Sequence, residues 1–295
     1  MDCAQYLGDR KRLVDETLDR LLRPDDRIPP PLYEAMRYCV CAGGKRLRPI
    51  LALAAAEALG GTPEAVLCEA CALELLHTYT LVHDDLPSMD DDDFRRGRPT
   101  VHTVYGEAVA ILTGDALQAE AFGLLAGGRH DPATMIEVIR MVADACGARG
   151  IVGGQVVDIL SEGKPVSRET LEYIHRNKTG CLITASVMLG ALLARTEKTP
   201  QAHLAALERY GRAVGLAFQI TDDILDVTGS SRDLGKTAGV DEKRGKATYP
   251  AIVGLEEARA AQSRLHQEAL AAVSCFGASA DPLRCIARVI IERSS

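Results

Sequence analysis

Residues 64–85, EAVLCEACALELLHTYTLVHDD, repeat apolar side chains at three- and four-residue spacing and close on two adjacent aspartates. That period belongs to a helix, because 3.6 residues per turn bring positions i, i+3, i+4 and i+7 onto one face. The pattern continues on both sides, through PILALAAAEALG at 49–60 and HLAALERYGRAVGLAFQITDDILDV at 203–227. Alanine and leucine, both strong helix formers, dominate these stretches. Stop signals separate them at Gly43–Gly44, Gly60–Gly61, Gly127–Gly128, Pro165 and Pro200. The pattern predicts an all-α fold of roughly ten helices with no convincing strand. No linker composition interrupts it, so one domain is expected over residues 1–295. Residues 112–125 and 181–193 are apolar around most of the helix, which calls for cover on several sides. A bundle wrapped around a central helix, a partner subunit over one face, or both would supply it.

Aromatic residues are only 4% of the chain and tryptophan is absent, which argues against a sandwich or barrel of aromatic-rich strands. Apolar residues at 47% and charged residues at 25% exclude disorder. A net charge of −7 excludes a nucleic-acid binder that relies on a basic face. No apolar run reaches the length of a membrane span, so no transmembrane helix is expected. The N-terminal MDCAQYLGDRKRLVDETLDR reads as a charged amphipathic helix, not a signal peptide. Nine cysteines, odd in number and scattered through apolar pattern, are expected to be reduced thiols in a cytoplasmic protein. Cys68 and Cys71 lack the second pair that a zinc site needs and are expected to be core thiols.

The chemistry concentrates in two acidic segments. LVHDDLPSMDDDDFRRGRPTVH, residues 81–102, holds Asp84, Asp85 and Asp90 to Asp93, followed at once by Arg95, Arg96 and Arg98. Pro87 interrupts the run, and the apolar helix before it puts Asp84 and Asp85 at a buried helix end. Oxygen ligands without Cys or His partners favour Mg²⁺ or Ca²⁺ over zinc, and no EF-hand pattern is present. FQITDDILDV, residues 218–227, places Asp222 and Asp226 four apart on one helix face, with Asp223 and Gln219 expected to join the same stripe. So many buried carboxylates cannot all stay ionised without cations. Two aspartate helices facing each other across a central cavity therefore imply Mg²⁺ together with a phosphorylated substrate.

Basic residues complete that picture. GGKRLRP, residues 43–49, sets Lys45, Arg46 and Arg48 at a glycine-led helix start, where free N–H groups and cations can cradle an anion. HRNKTG adds Lys178 and Thr179, and the glycine-rich 233–250 segment adds Lys236 and Lys246. GGQVVDI puts Gln155 and Asp158 three apart, as supporting hydrogen bonders.

Taken together, GGKRLRP, the two aspartate segments, GDALQAEAF, GGQVVDI, NKTG and LGKTAG…GKATYP resemble the trans-isoprenyl diphosphate synthases, from about Leu32 to the C-terminus. The resemblance implies an all-α bundle around a central cavity and a Mg²⁺-dependent condensation of isopentenyl diphosphate with an allylic diphosphate. It implies that Asp84, Asp90 and Asp222 ligate the metal while Asp85, Asp223 and Asp226 support them. Arg95 would hold the allylic diphosphate, and Lys45, Arg48, His77 and Arg96 would hold isopentenyl diphosphate. Lys178, Thr179 and Gln219 would flank the developing allylic cation, and Lys236 and Lys246 would reach the leaving diphosphate. A homodimer is implied as well.

Tyr79, five residues before Asp84, would floor the product tunnel, so a farnesyl (C15) product is expected, with geranylgeranyl (C20) as the alternative. A class I terpene cyclase is a weaker reading, because cyclases line their pockets with aromatic rings and carry a different second motif. A non-catalytic subunit of a heteromeric synthase is weaker still, since both aspartate motifs are intact.

Overall fold

The computed structural model describes residues 1–228 and 247–292. Helices account for most of it. In chain order they are α1 (Cys3–Leu21), α2 (Pro30–Val40), α3 (Leu47–Ala58), α4 (Pro63–Asp84), α5 (Val101–Tyr105), α6 (Glu107–Ala126) and α7 (Pro132–Cys146). There follow α8 (Ile151–Ser161), α9 (Arg168–Ile174), α10 (Cys181–Ala194), α11 (Gln201–Thr228), α12 (Tyr249–Val253), α13 (Leu255–Ala272) and α14 (Asp281–Glu292). The helix count exceeds the expected ten because short helices such as α5 and α12 lie below what hydrophobic period can resolve. The strand-free expectation also needs one correction: β1 (Phe94–Arg95) and β2 (Arg98–Pro99) pair as a minimal antiparallel hairpin. Its turn residues Arg96 and Gly97 both have positive φ, 54° and 75°, as a two-residue hairpin turn requires.

The middle of α4 carries the core. Its Cys71, Ala72, Leu73 and Leu76 are fully buried, and α6, α3, α10, α2 and α1 pack around it. α10 is buried on almost every side, as its sequence predicts. α6 is not: Ile111 and Leu112 are exposed, and only 33% of its most apolar window is buried. The cover expected for that helix does not come from the described residues.

Two expectations from composition are overturned. Three helical stretches, Pro63–Asp84, Glu107–Ala126 and Arg168–Ala194, are long and apolar enough to cross a membrane by length and composition, with mean hydropathies of 1.4, 1.3 and 1.3. For Pro63–Asp84 and Arg168–Ala194 the reason is burial within the bundle, where apolar neighbours favour apolar residues all round; Glu107–Ala126 is largely uncovered. And the cysteines are not all free thiols: Cys3 on α1 and Cys285 on α14 form a disulfide, with Cα atoms 5.7 Å apart. Sequence spacing could not show that the first and last helices lie side by side.

Candidate active site

Asp84 is the last residue of α4, and the chain after it folds back onto the helix end. The Asp90 N–H donates to the Asp84 carbonyl at 2.8 Å, and the Asp92 N–H to that of Asp85 at 3.2 Å. Asp91, at φ 51°, makes the reversal. Asp90 thus returns to the acid that opened the motif. Burial, reinforced by repulsion from Asp90 and Asp85, raises Asp84 to about 6 against the opposing pull of Lys178 and Arg95. Asp85 turns elsewhere. It is buried and accepts Arg95 Nε at 2.7 and 2.9 Å and Nη2 at 2.5 Å, a bidentate grip that fixes the guanidinium.

A second group of side chains gathers where α3 begins. Gly43 and Gly44 sit at φ 82° and 133°, and no side chain caps the helix, so its first N–H groups stay available. Arg96 crosses to this loop and donates to the Gly43 carbonyl. A Cβ on Gly44 would lie 2.5 Å from Arg96 Nη1, the movable end of a flexible side chain, so it is the positive φ that favours glycine there. Arg48 is partly buried, its Nε has no hydrogen-bond partner, and burial lowers it to about 10. His77 on α4 is held neutral, far below the usual imidazole range, by burial and then by Arg48, Arg96, Arg95 and Arg46. Arg48, His77 and Arg96 thus share one electropositive recess, and Lys45 lies exposed beside them. Arg46 does not join the cradle expected of it. It is 3% exposed and donates to Asp15 at 2.8 Å, Glu74 at 2.9 Å and the Val40 carbonyl at 2.7 Å, tying α3 to α1 and α4.

The third part is a π-helical turn, His175–Gly180, inserted between α9 and α10. Such wide turns interrupt the hydrogen-bond ladder and recur at functional sites. Lys178 Nζ donates to Asp158 of α8 at 2.6 Å. The Thr179 hydroxyl donates to Gln219 Oε1 at 2.8 Å, and Gln219 Nε2 donates to Asp222 at 3.2 Å. Asp226 lies one turn further along α11, with Oδ2 buried and without a partner. Asp223 departs from the expected stripe. Its Oδ2 accepts the Tyr249 N–H at 2.7 Å and lies 3.4 Å from His175 Nε2, so it secures α12 to the π turn and does not face the other acids.

Electrostatics tie the three parts together. Lys178 acts on Asp84, and Asp222 acts on Arg48, so α3, α4, the π turn and α11 surround one region. Lys236 and Lys246 lie outside the described residues. Tyr79 is brought in only partly. It is 6% exposed and meets His83 edge-on at 5.9 Å, and Gln118 and Cys146 act on its hydroxyl. At 100° per residue it stands about 140° around α4 from Asp84, whereas His77 shares Asp84's face. Sequence reasoning gave Gln155 a supporting role only, yet both polar atoms of its side chain are buried and unpartnered.

Among the described residues, no three acid, histidine or cysteine groups close into a metal cage. The acids present still fit a hard divalent cation. Their donors are all carboxylate oxygens, Asp84 is destabilised as an anion, and one oxygen of Asp226 is buried without a partner. Mg²⁺ characteristically takes one or two carboxylates and completes its shell with phosphate oxygens and water, so an open set of this kind suits it.

The polyprenyl synthetase family model matches residues 29–275. A geranylgeranyl diphosphate synthase of Cyanophora paradoxa is 46% identical over 98% of this chain and 96% of its own length. Among solved structures, a geranylgeranyl pyrophosphate synthetase from Pyrococcus horikoshii superposes with a TM-score of 0.90 at 31% identity, covering 99% of this chain and 100% of its own. An FPP/GFPP synthase from Zymomonas mobilis superposes at 0.86 and 38% identity, covering 98% and 99%.

Proposed function

From the premise that this chain belongs to the polyprenyl synthetase family, we propose that it condenses isopentenyl diphosphate with allylic diphosphates to give a linear trans-prenyl diphosphate. The observation that carries the reading is the meeting of three sets of groups. They are the Asp84–Asp90 turn, the Thr179–Gln219–Asp222 chain and the Arg48–His77–Arg96 recess.

Each set has work to do. Arg95, fixed by Asp85, and Lys178, fixed by Asp158, receive the allylic diphosphate. Arg48, Arg96, Lys45 and neutral His77 receive isopentenyl diphosphate, whose charge relieves the mutual repulsion of the arginines. Asp84, Asp90 and Asp222, with Asp226 beside them, would hold Mg²⁺, which when bound supplies charge neutralisation for the departing diphosphate. Thr179 spends its proton on Gln219, so its lone pairs are free to face the allylic carbon as positive charge grows there. The double bond of isopentenyl diphosphate then attacks that carbon. The surplus proton passes to the released diphosphate, since no side chain here is placed as its base. Packed helices exclude water that would otherwise trap the cation as an alcohol.

For the product, geranylgeranyl diphosphate is the better supported reading, because geranylgeranyl names prevail among similar relatives, including those of Cyanophora paradoxa and Capsicum annuum. The farnesyl expectation keeps one observation in its favour, the buried Tyr79 ring close before Asp84. Incubation with Mg²⁺, isopentenyl diphosphate and dimethylallyl or geranyl diphosphate, followed by chromatography, tests both. A C20 product is expected. A C15 product would restore Tyr79 as the tunnel floor, a cyclic hydrocarbon would refute chain elongation, and no product would refute the activity. We also propose a homodimer, in which a second copy covers Ile111 and Leu112 of α6 together with Val152, Val156 and Leu160 of α8, all exposed. Light scattering that returns the monomer mass would reject it.

A further inference from the structure

The hairpin that carries Arg95 and Arg96 pairs only two residues on each side. It borders a cleft whose walls include Cys39, Ala42, Thr78, Leu81 and Val82, and its residues 94–99 are exposed or half-buried, so little packing holds it. Its position therefore depends on contacts at its rim. Two of these are made by the arginines themselves, Arg95 with Asp85 and Arg96 with the Gly43 carbonyl. Arriving isopentenyl diphosphate competes for Arg96, and Asp85 fixes the Arg95 guanidinium without holding the return strand, so neither contact anchors the whole hairpin. The return strand has a separate anchor on α2. The Tyr38 hydroxyl donates to the Pro99 carbonyl at 2.7 Å, and the Arg98 guanidinium lies over the Tyr38 ring, 4.3 Å from its centroid. Tyr105 meets the same ring edge-on at 5.7 Å and steadies it. The proposed reaction gives none of these groups a substrate to hold.

We infer that Tyr38 is a positioning residue for prenyl transfer, holding the hairpin of Arg95 and Arg96 in place while Arg96 exchanges the Gly43 carbonyl for diphosphate oxygens. The inference rests on the proposed role of those arginines. In Tyr38→Phe the ring and the Arg98 stack survive and only the hydroxyl is lost. The KM for isopentenyl diphosphate should rise about three- to tenfold while kcat stays within about twofold, because the loss falls on binding and not on the chemical step. The thermal midpoint should not move. Tyr38→Ala, which loses both contacts, should raise KM further. Because Tyr38 acts through Arg96, adding Tyr38→Phe to Arg96→Ala should leave KM where Arg96→Ala had put it. An unchanged KM in Tyr38→Phe overturns the inference, as does the same fold-increase in both backgrounds. Calorimetric binding of inorganic diphosphate needs no turnover and separates this inference from the proposed reaction. Weakened binding in Tyr38→Phe supports the anchor even if the wild type forms no product, and unchanged binding overturns it.

Discussion

Gly154→Ala tests whether the π turn must sit where it does. A Cβ built on Gly154 falls 2.4 Å from the Lys178 backbone nitrogen, 2.9 Å from its Cα and 3.0 Å from the carbonyl carbon of Asn177. All three are backbone atoms, so no flexible side chain can swing aside. Ordinary contact begins near 3.4 Å, so α8 and the π turn must part by about 1 Å at this point. Overpacking of this kind costs about 1–3 kcal/mol, and replacing a helical glycine by alanine returns about 1 kcal/mol. Stability should therefore fall only modestly. Activity should fall much more, because Lys178 and Thr179 ride on the displaced turn, and a misplacement of about 1 Å can cost on the order of 10²-fold in rate. Gly123→Ala is the control: this glycine also lies in a helix, but nothing is within 4 Å of its Cβ, and the variant should be slightly stabilised. Steady-state turnover and thermal denaturation of both variants decide the matter. Gly154→Ala with full activity would refute the claim that the turn is held in register by backbone contact.

Other expectations concern charge and burial. Chelation should abolish turnover, and Asp84→Asn or Asp222→Asn should lower kcat on the order of 10²–10³-fold, whereas full activity in EDTA would sink the metal assignment. Glu74→Gln breaks the buried pair with Arg46, whose side chains are each 2% exposed, and, since Arg46 keeps Asp15 and the Val40 carbonyl, should cost about 1–3 kcal/mol in urea denaturation. Arg46→Met combined with Glu74→Leu should recover much of that loss. Burial pushes the Cys39 and Cys146 thiols up to about 12, and Cys71 higher still, so all three stay protonated at about pH 8. Alkylation of the native protein at that pH should mark Cys275 and Cys68, which lies exposed and not in the core as its pattern suggests, and spare those three until it unfolds; early labelling of Cys71 would show a looser core.

The parts of the site that follow helical period were legible from the chain. Asp84 at a helix end, His77 on its face, and Gln219 with Asp222 on α11 all fall where three- and four-residue spacing puts them. What escaped was anything set by a departure from that period or by a distant partner. The π turn at His175–Gly180 follows a wider register that apolar spacing does not signal. Three-residue spacing from Asp226 places Asp223 on the acidic stripe, yet it points about 100° away from Asp222, and Tyr249 and His175 claim it. Arg46 looked like its neighbours in GGKRLRP until Asp15 and Glu74, far away in the chain, took up its donors. Arg96 had no signal for its left-handed backbone beyond the glycine that follows it.

The Cys3–Cys285 bond makes the polypeptide a covalent ring over nearly its whole length, with a separation of 282 residues. A protease that cuts once within the ring, for example at the exposed Gly163 turn, would leave a nicked molecule that still migrates as one species until a reductant is added. The same adjacency means that a short peptide could join the two outer helices in place of the sulfurs. New termini could then be opened at Gly163, giving a permuted enzyme in which α8 ends one half of the chain and α9 begins the other.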